Sequence, residues 1–245
     1  MRLHCIGCQV LSRELRAAAA HTPHSVDFEF LPMSLHEGES SALRDRLQGS
    51  IDRVDAARVD AILVGYGLCG YALDGLTPRH VQLVVPCVHD CIGVLFGGER
   101  KLREYLTSNP GTYFRSSGWM EHPRRLATDT WSDVGRSFDE FAARYGEDNA
   151  KHLFEILGRP TRHYSRLAYV RTGTGVDAAF ERQAQEEAGR HGWAFDPVEG
   201  DPSIIRRFLG GDWGGGDFLV VPPGRRVVAT HDERVIDAVP AVDPV

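Results

Sequence analysis

A chain of 245 residues, 42% hydrophobic and 25% charged, has the make-up of a globular protein large enough to bury a proper core. Its net charge of −6 speaks against a generic binder of nucleic acid or anionic membrane. No apolar run approaches the roughly 18 residues that a membrane span requires. Met1-Arg-Leu-His-Cys5 reads directly as a strand and not as a signal peptide, so a cytoplasmic location is expected. There, the five cysteines are expected as reduced thiols, ligands or catalytic groups rather than structural disulfides.

In chain order, Leu3 to Ile6 is a short β-compatible run. Ser12 is expected to cap a helix reaching Ala20, with Leu11 and Leu15 on one face. Val26 to Leu31 alternates apolar and acidic residues, the period of a half-exposed strand. Ser41 opens a second helix with Leu43, Leu47, Ile51 and Val54 inward. The short runs Ala61 to Val64 and Val81 to Val85 read as strands covered on both faces. Glu99 to Leu106 is a further helix, with Leu102, Tyr105 and Leu106 inward, ended by Pro110-Gly111.

Thr112 to Trp119 lacks clear periodicity and is expected to be an ordered loop. A helical stripe of Phe138, Phe141, Tyr145, Leu153 and Phe154 runs through Trp131 to Leu157. Arg166 to Val170 is a strand, Val176 to His191 a helix stopped by Gly192, and Trp193 to Val198 a strand. Ile204 to Leu209 is a short helix, and Asp217 to Val221 a last strand. The halves rhyme, and Leu-Val-Val-Pro occurs at 83–86 and again at 219–222. Such alternation predicts an α/β fold of two Rossmann-like lobes, with parallel sheets flanked by helices and a cleft between them. The expected divisions are an N-terminal lobe at 1–115 carrying every cysteine, a loop and connecting helix at 116–160, and a C-terminal lobe at 161–245.

Three apolar runs end at Gly or Pro and then present a thiol, at Cys8, Cys69 and Cys91. Parallel strands would gather those thiols at the carboxyl edge of one sheet, where open α/β sheets bind ligands. Thiolates are soft ligands for zinc or iron–sulfur clusters, and three of them leave a coordination position for substrate. Gly65, Gly67 and Gly70 let backbone N–H groups approach a cofactor there, a means of tuning cluster potential. Buried cysteine is also a common small hydrophobe, and the three are not a regular tandem CxxC pair. Cys5-Ile-Gly-Cys8 is a CxxC, but Cys5 falls inside the strand; Cys87 reads equally as a fourth ligand or as packing.

His89 is a candidate acid–base group or ligand, with Asp90 beside it to orient or charge-stabilise a neighbour; the bland alternative makes Asp90 a helix cap. Tyr66, Tyr113, Arg115 and Trp119 are candidate contacts for a small-molecule substrate, although packed aromatics are more often structural. Gly210 to Gly216 permits close approach to a ligand, yet no phosphate-loop or dinucleotide fingerprint accompanies it.

Cys8 before Leu11-x-x-Glu14-Leu15, Gly65-Tyr-Gly-Leu-Cys69, His89-Asp-Cys91, Pro110-Gly-Thr-Tyr113 with Gly118-Trp119, and Phe218-Leu-Val-Val-Pro-Pro-Gly224 together resemble the family called domain of unknown function 1638. The resemblance implies a one-carbon setting beside corrinoid-dependent methyltransferase systems, with a corrinoid protein or methyltransferase as candidate partner. Cys8, Cys69 and Cys91 match the family's recurrent thiols, whereas Cys5 and Cys87 look particular to this chain. The D-x-H-x-x-G signature of a cobalamin carrier is missing. Three thiolates at lobe edges also look like the arrangement of quinolinate synthase and diphthamide-forming enzymes, a fold-level analogy. The expectation is therefore a metal-dependent lyase or transferase with a 4Fe-4S cluster on the three thiols. Its alternatives are a zinc-thiolate protein or a non-catalytic accessory protein of a methyltransferase system.

Overall fold

The computed structural model describes residues 1–36, 40–122, 142–143, 146–151 and 163–241. Most of the helical stripe expected between Trp131 and Leu157 lies outside them. The larger sheet is built around β1 (Arg2–Cys8), with β2 (Ser25–Leu31) and β3 (Ala61–Gly65) parallel on either side. β4 (Leu83–Pro86) continues parallel to β3, and β8 (Phe218–Val221) closes the edge, giving the order β2-β1-β3-β4-β8. Every residue of β3 and β4 is buried, which is what short apolar strands covered on both faces require. Each such Leu or Val withdrawn from water contributes about 1.5–3 kcal/mol, which favours placing these runs at the centre.

Helices α1 (Ser12–Ala19), α2 (Ser40–Arg53), α3 (Cys91–Leu95) and α4 (Glu99–Ser108) follow the strands of this sheet. Leu11 and Leu15 are buried at α1, and Leu43, Leu47 and Ile51 at α2, the faces expected from their spacing. Ser12 does not cap α1: the helix continues a 3-10 turn over Gln9–Leu11, so Ser12 is already helical and no side chain caps the start.

A second, three-stranded sheet is wholly parallel, in the order β5-β6-β7. It comprises β5 (Thr112–Ser116), β6 (Arg166–Arg171) and β7 (Ala194–Glu199). Helix α6 (Asp177–His191) buries Ala184 and Ala188 against Leu167 and Tyr169, and ends on left-handed Gly192 (φ 69°) as expected. Helix α7 (Ser203–Gly210) crosses α1 and buries Ile204, Ile205, Phe208 and Leu209 in the larger core. An α/β architecture of parallel sheets flanked by helices is therefore what the chain adopts.

Three features depart from expectation. Thr112 to Trp119 is β5 followed by the short helix α5 (Ser117–Glu121), not a loop. Among the described residues β5 pairs with β6 alone, some fifty residues later, a non-local pairing that no local periodicity announces. β8 joins the larger sheet, not the second, and pairs antiparallel with β4, where Leu83 faces Val221 and Pro86 faces Phe218. The two Leu-Val-Val-Pro copies are thus neighbours across one ladder. A hairpin of β9 (Arg225–Ala229) and β10 (Ile236–Pro240) follows, which no earlier signal marked. The five-stranded and three-stranded sheets consequently each draw strands from both expected halves of the chain.

Contacts near the carboxyl ends of the two sheets hold them together. Asp201 N–H, just past β7, donates to the Leu95 carbonyl at 2.8 Å. Lys101 of α4 pairs with the Asp201 carboxylate. Helix α5 lies so close on the Gln9–Leu11 turn that a β-carbon at Gly118 would run into the Val10 carbonyl. Only glycine fits there.

Candidate metal centre

Cys8 is the last residue of β1, Cys69 lies four residues beyond β3, and Cys91 opens α3 after β4. β1, β3 and β4 run parallel, so the three thiols share one carboxyl edge. With β2 on one side of β1 and β3 on the other, the sheet reverses its order of growth between β1 and β3. Ligands bind at such a switch point in open α/β sheets, and Cys8 and Cys69 flank it.

The loops after β3 and β4 are sewn together by backbone. Leu68 N–H donates to the Val88 carbonyl at 2.9 Å and Cys69 N–H to the His89 carbonyl at 2.8 Å. Gly67 is pressed on Asp90, where a β-carbon would fall 2.6 Å from the Asp90 backbone. Cys69 (φ 45°) and Tyr71 (φ 72°) both adopt left-handed backbone, with Gly70 between them. Two non-glycine residues held there represent local strain, which persists only where the surroundings enforce it.

The three sulfurs lie within one another's electrostatic reach. Burial pushes each thiol upward, Cys8 to about 11, with Cys69 and Cys91 also raised. N–H groups offset part of that cost: those of Val10 towards Cys8, Gly67 and Cys91 towards Cys69, and the Trp119 indole towards Cys91. Tyr66, fully buried, sits amid all three thiols, and burial with their charge pushes its phenol up. Its hydroxyl and the Trp119 indole N–H make no regular hydrogen bond among the described residues. His36 brings Nε2 to 3.6 Å from Cys8 Sγ, with its ring stacked 5.9 Å from that of Tyr66. The side chains gathered here are thus sulfur, imidazole, phenol and indole. Among the described residues, no three His, Cys, Asp or Glu side chains converge closely enough to enclose a single metal ion.

The other sequence candidates are placed as follows. Asp90 caps α3, accepting from Ile92 N–H at 2.9 Å and Gly93 N–H at 3.2 Å. It holds the Cys91 helix in place and is occupied in doing so. His89 is half-exposed, its Nδ1 2.8 Å from the Glu99 carboxylate. Trp119 joins the thiols, whereas Tyr113 packs on Tyr164 and Trp193 beside the second sheet. Arg115 is buried in a two-pronged ion pair with Glu187, at 3.1 and 2.7 Å, and stacks on Tyr113. Gly65 packs against Gly7 and Leu15, and Gly70 supplies the turn (φ 67°) with open space around its α-carbon. Cys5 is fully buried in the strand, and Cys87 lies beside Asp217 and Asp237, with its thiol raised to about 12.

Sequence reasoning missed His36. The signal was the register of β1 on β2, Cys8 facing Leu31, which carries the turn Met33–His36 to the same edge.

The fold and site together define an α/β protein with a largely buried group of thiols at the switch point of its main sheet. Residues 30–209 match the family described as "Protein of unknown function (DUF1638)", and the chain belongs to that family. The matched stretch includes His36, Tyr66, Cys69, Cys91 and Trp119, while Cys8 lies before it. No curated protein and no solved structure matches the chain.

Proposed function

We propose that this is a metal-dependent enzyme holding a 4Fe-4S cluster on Cys8, Cys69 and Cys91, with one iron left open to a small substrate. The observation that carries this reading is the gathering of three thiols at the switch point, Cys8 and Cys91 buried and Cys69 part-buried, encircled by N–H donors and by the Tyr66 hydroxyl. Thiols pushed up by burial stay protonated near neutrality, and a bound metal is what converts such groups to thiolates. The donor set fits a soft metal. A cluster also holds its thiolates farther apart than a single ion does, and so demands less convergence of the three side chains.

When bound, an open iron supplies Lewis acidity to a coordinated oxygen or nitrogen of the substrate. The chain's own residues do the rest. The N–H groups of Gly67, Val10 and Cys91 stabilise charge on sulfur, as donors that set cluster potential do. The Tyr66 hydroxyl and Trp119 N–H offer hydrogen bonds at the same edge. Asp90 fixes the helix start that presents Cys91. The reading includes a cytoplasmic, one-carbon setting with a corrinoid protein or methyltransferase as partner.

A second reading rests on His36. One imidazole with three thiolates is a structural zinc donor set, and two thiolates with His36 would leave zinc an open position for a substrate thiol. Metal content of Cys8→Ser, Cys69→Ser, Cys91→Ser and His36→Ala separates the two. A cluster is lost with any thiol and kept without His36, whereas zinc is lost with His36. Full metal retention in the thiol variants contradicts both.

A further inference from the structure

At the carboxyl ends of the parallel strands β6 and β7 a cavity of about 230 Å³ opens between α1, the loop after β6 and the start of α7. Open α/β sheets bind ligands outside the carboxyl ends of their strands. The space is smaller than the roughly 300–1,000 Å³ of drug-sized ligand sites, so its occupant is small. Ala17, Ala18, Leu95, Pro202 and Ile205 give it apolar wall.

The charges around this cavity do not cancel, because its acids are engaged by the chain itself. Asp201 pairs with Lys101 and accepts from Ser203 N–H at 2.8 Å. Glu14 is buried, with Oε1 3.5 Å from the Ser117 hydroxyl and Oε2 sealed from solvent. Asp177, beyond the loop wall, accepts from Gly173 N–H at 2.9 Å and from the Tyr169 hydroxyl at 3.1 Å. Arg206 and His21, both exposed, line the same cavity, and neither side chain has an ion pair or hydrogen bond among the described residues. The open groups of the wall are therefore donors. A guanidinium fork matches a carboxylate with two parallel hydrogen bonds, and an imidazole N–H adds a third.

We infer that this cavity is a second ligand site, separate from the thiol cluster, for a small carboxylate whose charged end meets Arg206 and His21 and whose short apolar part lies on Ala17, Ala18 and Ile205. An amine of the same size would bring a cation to a cation. Inorganic phosphate would satisfy the donors and leave the apolar wall uncovered.

The test follows butyrate, butyramide and butylammonium on the full chain by ligand-observed NMR, with inorganic phosphate as competitor, and repeats it on Arg206→Gln and Ala17→Phe. Arg206 is exposed and unpaired, so its substitution leaves the fold alone. Ala17 lines the cavity from an exposed helix position, so Phe there blocks the space without disturbing the core; an unchanged melting temperature of each variant verifies this. The expected result is binding of butyrate in preference to the amide and the amine, weakened about tenfold or more by Arg206→Gln and abolished by Ala17→Phe. No binding of butyrate, equal binding of the amide or the amine, displacement by phosphate at equal concentration, or binding indifferent to either variant overturns the site. Because none of these outcomes depends on metal, failure here leaves the thiol reading intact.

Discussion

Gly67 sits against the backbone of Asp90 so closely that a side chain at 67 would have to occupy the Asp90 α-carbon's own surroundings, 2.6 Å away. The contact fixes the distance between the loop bearing Cys69 and the helix start bearing Cys91. A Gly67→Ala substitution should drive the two loops apart, at an overpacking cost of about 1–3 kcal/mol, and lower metal content. Gly70→Ala, which meets open space, should strain its left-handed turn while leaving that inter-loop distance alone. Metal content and thermal unfolding of the two variants check the contrast; equal metal loss in both would contradict it.

Asp90 acts through its capping bonds to Ile92 and Gly93. Asp90→Asn and Asp90→Ser should be tolerated, because those residues also cap, while Asp90→Ala should cost about 1 kcal/mol. If Asp90 were an acid–base group instead, Asn would abolish turnover as fully as Ala.

Arg115 and Glu187 are almost wholly buried, with side-chain exposures of 6% and 8%. Arg115→Met should destabilise by about 3–5 kcal/mol, because it strands a buried carboxylate, and Arg115→Met with Glu187→Leu should recover most of that loss. Chemical denaturation of the two proteins measures it. Metal content should be unchanged in both.

Glu14 gives a pH dependence with a definite sign. Its folded-state pKa is raised above the ordinary 4.5 by burial, so the folded chain binds this proton more tightly than the unfolded chain. The stability it contributes is present in full below the unfolded value and is lost as pH rises through the folded value. Glu14→Gln should therefore unfold at a higher temperature than the parent at neutral pH, with the advantage shrinking as the pH falls below 4.5. A constant difference across that range would contradict the assignment.

Much of this molecule was legible in the order of its residues. The buried strands at Ala61 and Leu83 announced themselves by short apolar runs, and Gly192 stopped its helix where expected. The shared edge of Cys8, Cys69 and Cys91 followed from parallel strands alone. What stayed hidden was decided by pairing between distant segments. β5 is held by β6, and β8 crosses to β4, matched to it by the repeated Leu-Val-Val-Pro that had suggested two equivalent halves. His36 was unreadable as a lone histidine, because only the β1–β2 register brings its turn to Cys8. Arg115 was misleading for the opposite reason, since its partner Glu187 lies 72 residues away.

Among the thiols, Cys69 is the one enclosed by both loops, so Cys69→Ala should remove most bound metal while leaving helix content by circular dichroism largely intact. Cys5→Ala and Cys87→Ser should keep it, since one sulfur is sealed in the strand and the other faces Asp217 and Asp237.

The most direct test of the central claim is iron, zinc and acid-labile sulfide per chain, with a visible spectrum, on protein purified without oxygen. The account predicts about four iron and four sulfide per chain and a brown protein absorbing broadly near 400 nm. A colourless protein, with neither iron nor sulfide in that preparation, would contradict it.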